Sequence, residues 1–251
     1  MIQNKVSGGS SMRSSSNYKY LIFDVDDTLL DFNSAYTKAQ EVIAKRLGIE
    51  NSDEYKQLDD KCVWRAWREC GSENTETKDV QDNYHIYYFQ YIKKHFFYLV
   101  QELQMEIDAN ELVRCYIESI SSSKDLMECD TLHVYMELAK SYRLVLATNG
   151  IESIQNPRIS EFIPFTYKTY ISESIGHIKP SKLFFDSVIQ DLGCEIKDCL
   201  MIGDSMTNDI IGAKEIGMDV CYYNFKQKTS TNRFAVDYEV NRIAELLKIL
   251  L

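Results

Sequence analysis

The stretch Tyr20-Leu21-Ile22-Phe23-Asp24-Val25-Asp26-Asp27-Thr28-Leu29 decides how the rest of this chain is read. Its first four residues are an apolar run that reads as a buried strand, and the run stops abruptly in carboxylates. Side chains alternate along a strand with period 2, so Asp24 and Asp26 leave on the same side while Val25 faces away. Two acidic groups on one face at the end of a strand cost free energy through repulsion and desolvation. A divalent cation is the simplest compensation, and in open α/β sheets the C-terminal ends of the strands are where ligands bind. A solvated, Asp-rich turn would be written with the same letters.

Three further segments bear on the choice. Leu144-Val145-Leu146-Ala147-Thr148-Asn149-Gly150 is again an apolar strand ending in small polar residues, able to offer donors to an anion. Read blandly, Asn-Gly is a good turn. Gly176-His177-Ile178-Lys179-Pro180 precedes an apparent helix beginning near Ser181. Alone, Lys179 would pass for a solvated charge, and His177 reads as a surface residue. Cys199-Leu200-Met201-Ile202-Gly203-Asp204 is a third strand ending in acid, and Asp209 follows, where the first turn of a helix would favour it anyway.

Together, and in this order, the segments resemble the four motifs of the haloacid dehalogenase-like hydrolase superfamily: D-x-D-x-T, a strand ending in Thr or Ser, a Lys, and G-D-x-x-x-x-D. The resemblance spans about Tyr18 to Leu251. It implies an α/β fold: a Rossmann-like core with a parallel sheet of order 3-2-1-4-5, plus an all-α C1-type cap. In that order the strands ending at Asp24 and Asp204 are neighbours at the topological switch point.

The chain organisation fits that expectation. Helical spacing is predicted over 34–47, 53–70, 77–103 and 109–121, an all-α insertion after the first strand. Beyond it, strands near 143–148, 167–171, 199–203 and 218–223 alternate with helices near 131–141, 152–162, 181–192, 207–216 and 239–250. Pro157 is expected to delay the second of those helices to about Arg158. The predicted division is a disordered tail at 1–17, a core of 18–31 with 129–251, and a helical cap at 32–128. The tail holds six Ser and two Gly and no apolar core, so it reads neither as a secretory signal nor as an anchor.

At 251 residues the chain can bury a sizeable core. Its net charge of −10 argues against nucleic acid as a partner. Seven Cys, with no zinc-type spacing, read as reduced thiols, mostly small core hydrophobes, of a cytoplasmic protein. No apolar run reaches membrane-spanning length. A monomer or homodimer acting on a small phosphate monoester is expected.

What the resemblance implies for the site follows residue by residue. Asp24, ionised at neutral pH, attacks phosphorus and forms an aspartyl-phosphate. Asp26 protonates the leaving alkoxide and then deprotonates the hydrolytic water. Mg²⁺ is held by Asp24, Asp204 and the backbone carbonyl of Asp26, with Asp209 acting through water or by orienting its neighbours. Thr148, Asn149 and Lys179 cradle the phosphoryl group, and Thr28 fixes the Asp26 loop. An acid at position 26 separates phosphate-ester chemistry from dehalogenation, where a halide needs no proton.

The wording F-D-V-D-D-T-L-L-D-F, T-N-G with Gln155 and Arg158 downstream, I-S-E-S-I-G-H-I-K-P and I-G-D-S-M-T-N-D-I is similar to a C1-capped subgroup of 5′-nucleotidases acting on pyrimidine nucleoside monophosphates. A sugar-phosphate or phosphoglycolate-type phosphatase, a phosphomutase and a non-catalytic phosphate-ligand binding protein are the alternatives. The insertion carries ten aromatics between Trp64 and Tyr98. Base stacking would use one or two of them, and the rest would build the cap's own core. Phe32, where cap and core meet, is the candidate substrate contact, although packing at the hinge would also account for it.

Overall fold

The computed structural model of the chain describes residues 18–71, 76–227 and 236–251; the expected tail, 1–17, lies outside them. Strand β1 (Tyr20–Phe23) is buried along its whole length. Leu21 and Phe23 face one side of the sheet and Tyr20 and Ile22 the other, each pair in its own apolar cluster. Leu144 and Leu146 of β2 (Arg143–Thr148) join the first cluster, while Val145 and Ala147 join the second. A strand covered on both faces has no polar side to display, which is why these runs are apolar throughout.

Strands β3 (Thr166–Ile171), β4 (Cys199–Gly203), β5 (Asp219–Tyr223) and β6 (Tyr238–Val240) complete a parallel sheet of order β3-β2-β1-β4-β5-β6. The first five positions follow the expected order. The sixth strand occupies the start of the region expected to be a helix over 239–250. The edge of β5 presents unpaired backbone groups, and Tyr-Glu-Val suits an extended pairing with them, Cys221 opposite Tyr238 and Tyr223 opposite Val240.

Between β1 and β2 lie four long helices: α1 (Phe32–Leu47), α2 (Asp53–Glu69), α3 (Lys78–Glu102) and α4 (Ala109–Ser122). Asp31 caps α1 by accepting from the Ser34 N–H at 2.8 Å, and Gly48 closes it in the left-handed region at φ 69°. Ala35, Ile43, Ile92, Phe96, Leu112 and Ile120 form a separate apolar cluster inside this bundle, and Ile151 and Ile154 extend it from the core side. The two chain crossings run side by side: the Asp31 N–H donates to the Asp125 carbonyl at 2.8 Å, and the Met127 N–H to the Leu29 carbonyl at 2.9 Å. His177 does not stand free on the surface. Its Nδ1 lies 2.8 Å from Asp82 Oδ1 on α3, and the neighbouring Ile178 N–H donates to the Gln81 carbonyl, so this loop touches the cap.

After the insertion, α5 (Thr131–Leu138) packs Val134, Tyr135 and Leu138 on one face of the sheet. Helix α6 (Glu152–Arg158) starts at Glu152, not at Arg158 as expected from Pro157. A proline's cost falls on the carbonyl four residues earlier, here Ser153, and not on the helix start. The helix ends one residue later and passes into short 3₁₀ turns. A single turn, α7 (Ser172–Ile175), follows β3; then α8 (Lys182–Leu192) and α9 (Gly212–Glu215) cover the second face with Phe184, Phe185, Val188 and Ala213. The expected helix over 207–216 begins as a π-helical segment, Met206–Ile211. Finally α10 (Glu245–Leu250) returns to the first face. Among the described residues, no helix is long and apolar enough to cross a membrane. All seven cysteines are free thiols, and most are core hydrophobes as expected: Cys62, Cys199 and Cys221 are buried in the apolar clusters, Cys70, Cys115 and Cys194 pack against them, and Cys129 is exposed.

Candidate active site

The register brings distant residues to one level. Phe23 pairs with Leu146 on one side and Ile202 on the other, so the polar residues that follow all three strands emerge together at the C-terminal edge of the sheet. The Asp24 N–H donates to the Ile202 carbonyl at 2.9 Å, extending the ladder by one bond. A cavity of about 160 Å³ opens there, lined by Asp24, Asp26, Thr148, Lys179, Asp204 and Asp209 among others.

Lys179 is 1 % exposed and uses all three of its donors. Its Nζ donates to Asp24 Oδ1 at 2.6 Å, to Asp209 Oδ1 at 2.6 Å and to the Ala147 carbonyl at 2.8 Å. Burial opposes its charge, but Asp209 and Asp24 outweigh burial and hold the ammonium above the usual lysine range. The Thr28 hydroxyl sits 3.4 Å from Asp24 Oδ2 and from Asp204 Oδ1, and it accepts from the Asp204 N–H at 3.1 Å. It therefore ties the first loop to the fourth strand's turn.

Asp209 is fully buried and receives the Ser205 N–H at 3.0 Å. A Cβ added at Gly203 would stand 2.3 Å from Asp209 Oδ2. Glycine before Asp204 is thus a packing requirement of the second carboxylate, a reason that the G-D-x-x-x-x-D spacing does not state.

Asp24, Asp204 and Asp209 each offer an oxygen within 4.8 Å of the others, against a single ammonium among the described residues. Burial, then repulsion from Asp209 and Asp26, pushes Asp24 up to about 7 despite Lys179. Burial, then Asp24 and Asp209, pushes Asp204 up to about 8. Burial and the neighbouring carboxylates thus work against the ionised form of Asp24, while the Lys179 ammonium works for it. Asn208 lines the same cavity with a buried Oδ1 that has no partner among the described residues. Three converging carboxylates and an idle carbonyl oxygen are a hard donor set that suits a divalent cation such as Mg²⁺.

Asp26 lines the same cavity, but its carboxylate turns away from Lys179. Oδ2 accepts from Gln155 Nε2 at 2.7 Å, and Oδ1 accepts from Arg158 Nη1. Gln155 Nε2 also donates to Thr148 Oγ1 at 3.0 Å. Asn149, expected to face phosphate, lines this cavity, and its side chain also clamps the backbone of Lys179: Nδ2 donates to the Lys179 carbonyl at 2.9 Å and Oδ1 accepts the Lys179 N–H at 2.7 Å. Its amide thus braces the loop carrying Lys179, which has no regular element to hold it.

On the far side of Asp26 lies a second cavity of about 220 Å³ between cap and core, lined by Phe32, Tyr84, Tyr88, Ile154, Gln155 and Arg158 among others. Phe32 thus stands at the cap–core junction, facing this cavity. Of the cap aromatics, Tyr84 and Tyr88 reach it, while Trp64 and Phe97 are exposed on the outer surface. Gln155 and Arg158 stand out in the sequence only as letters after T-N-G. Their spacing of three on a helix directly after β2 is the signal that puts both on one face.

A parallel sheet with a carboxylate–lysine–carboxylate chain at its switch point, closed over by a helical cap, defines a capped Rossmann-like α/β protein with an acidic site. The profile of the haloacid dehalogenase-like hydrolases matches residues 18–217, and the chain belongs to that family. Among characterised relatives, a pyrimidine 5′-nucleotidase, PynA of Streptococcus pneumoniae, is 29 % identical over 93 % of this chain and 95 % of its own length. The rat N-acylneuraminate-9-phosphatase is 26 % identical over 81 % of each chain. The magnesium-bound crystal structure of the putative HAD-hydrolase YfnB of Bacillus subtilis superposes with a TM-score of 0.77 at 27 % identity, covering 93 % of this chain and 99 % of that one.

Proposed function

We propose that this chain is a Mg²⁺-dependent phosphate monoester hydrolase working through an aspartyl-phosphate, with pyrimidine nucleoside 5′-monophosphates as its substrates. The observation that carries the reading is the placement of Asp26 between two cavities: one holds Asp24 and Lys179, the other is aromatic and roofed by the cap. The name of the PynA relative supports the substrate class.

In this reading, Asp24 Oδ attacks phosphorus as the ester P–O bond breaks, and the leaving oxygen takes a proton from Asp26. Water then attacks phosphorus, Asp26 takes a proton from it, and the bond to Asp24 breaks. Lys179 neutralises both Asp24 and the phosphoryl oxygens, and Thr148 borders the same space. Asp24, Asp204 and Asp209 would hold Mg²⁺, with the Asp26 backbone carbonyl as a further ligand, and the ion would supply charge neutralisation to an anion attacking a dianion. A cytoplasmic, small-molecule role fits this chemistry.

The test is phosphate release from UMP, dUMP, dTMP, purine monophosphates, phosphoglycolate and hexose phosphates, with Mg²⁺ and with EDTA, using Asp24→Asn as the blank. Metal-dependent release favouring pyrimidine nucleotides is expected. Preference for a sugar or acid phosphate would keep the mechanism and replace the substrate. Isomerisation without net phosphate release would make the protein a mutase, and metal-dependent binding without turnover would make it a binding protein.

A further inference from the structure

The strongest unexplained group is Arg158. It is 1 % exposed, among the largest fully buried side chains of the protein, yet it lines the aromatic cavity. A guanidinium carries five N–H donors on three nitrogens. Here Nη1 serves both Asp26 and, at 3.0 Å, Gln155 Oε1, while Nε is buried with no partner among the described residues. Holding Asp26 and Gln155 occupies Nη1 and leaves Nε idle. An idle buried donor on a charged group is costly unless a ligand supplies the acceptor.

The surroundings say what kind of acceptor. The guanidinium carbon lies 5.6 Å from the centre of the Phe32 ring. Tyr84 and Tyr88, one turn apart on α3, stand with ring centres 5.9 Å apart on the same cavity. Aromatic faces beside a planar fork suit a flat, conjugated ring with a hydrogen-bond acceptor at its edge. Asp26 borders both cavities, so an ester oxygen within reach of Asp26 has its leaving group beside Arg158.

We propose that Arg158 is a specificity-determining residue that reads a ring carbonyl oxygen of the leaving group, held among Phe32, Tyr84 and Tyr88. This rests on the nucleotidase reading and deepens it. Because the same guanidinium holds Asp26, a correctly filled cavity and a correctly placed proton carrier depend on one side chain.

The experiment compares three 5-phosphate esters on the full chain: UMP, ribose 5-phosphate, and the nucleotide whose base is replaced by a carbonyl-free phenyl ring. For the unaltered protein, kcat/KM should be roughly 10- to 100-fold lower for the phenyl analogue than for UMP, the size of a hydrogen bond to a charged group. In Arg158→Lys, which keeps a cation beside Asp26 but loses the fork, kcat/KM for UMP should fall at least about ten-fold more than for ribose 5-phosphate, chiefly through KM. Equal falls on both esters would show that Arg158 acts only through Asp26 and would overturn the proposal. Equal use of UMP and the phenyl analogue would overturn it without any variant, should Arg158→Lys not fold. A protein that prefers ribose 5-phosphate over UMP from the outset would instead defeat the nucleotidase reading itself, and this inference with it.

Discussion

Two buried carboxylate centres, one in the cap and one in the core, are built from similar parts and balanced in opposite ways. In the cap, Asp59 is 2 % exposed, with Oδ1 2.6 Å from His95 Nε2 and Oδ2 accepting from Tyr36 Oη and Gln40 Nε2, both at 3.0 Å. Burial alone would raise this carboxyl; His95 first, then Gln40 and Tyr36, outweigh it and hold Asp59 below the usual range. In the core, Asp24 has one strong donor, and Asp204 and Asp209 crowd it, so burial wins and both Asp24 and Asp204 lie well above the usual range. A saturated network specifies a fold, whereas a buried cluster short of positive charge is prepared for something that arrives.

The comparison breaks most visibly at the nucleophile. Asp24→Asn is expected to lower kcat by about 10³-fold or more while leaving circular dichroism and the unfolding midpoint near native. Near-native turnover in that variant would remove Asp24 from its proposed role. The mirror change in the cap should do the reverse: Asp59→Ala strips the counterpart from buried His95 and is expected to cost about 3–5 kcal/mol in urea unfolding. A loss under about 1 kcal/mol would show that the cap network does not hold Asp59 and His95 together.

A third prediction concerns pH and metal. Asp24 and Asp204 have folded-state values of about 7 and about 8, above the roughly 3.9 of an unfolded aspartate. Between these limits the folded metal-free protein binds protons that the unfolded chain does not, so this contribution to stability falls as pH rises from about 4 through 8. Mg²⁺ competes with those protons. It should therefore raise Tm more at about pH 8 than at about pH 5.5, and equal shifts at both would contradict the cation reading. The smallest effect is Tyr36→Phe, which removes one of three donors to Asp59 and should cost about 1 kcal/mol by chemical denaturation, with kcat unchanged.

Much of the core was legible because its information is local. The apolar runs ending at Asp24, Thr148 and Asp204 mark strands covered on both faces, and their polar ends mark one edge of the sheet. The helical periods of α1 to α4 mark an insertion with its own core. Where local signals failed, a partner distant in sequence had intervened. Tyr238–Val240 became a strand because β5 offered an open edge. Pro157 is the local exception: its cost fell on the carbonyl four residues back, so it stayed inside α6, within one residue of the end. His177 was drawn onto Asp82 of the cap.

The residues that set the electrostatics of the site were the least legible. No spacing couples Asp59 to His95, 36 residues away, or Asp26 to Arg158, 132 away. Nor does the helical phase of α3 alone say that Tyr84 and Tyr88 face the cavity while Phe97 faces water.

The sequence by itself determined the strand–helix alternation, the family and the acidic residues at the strand ends, since hydrophobic period and turn chemistry act over a few residues. Only the tertiary structure decided which carboxylates share one ammonium, that Asn149 serves Lys179, and that Arg158 stands between Asp26 and an aromatic cavity. Those outcomes depend on burial and on distances between segments far apart in the chain. The free energy of a charge is set by what packs around it in three dimensions, not by its neighbours in sequence.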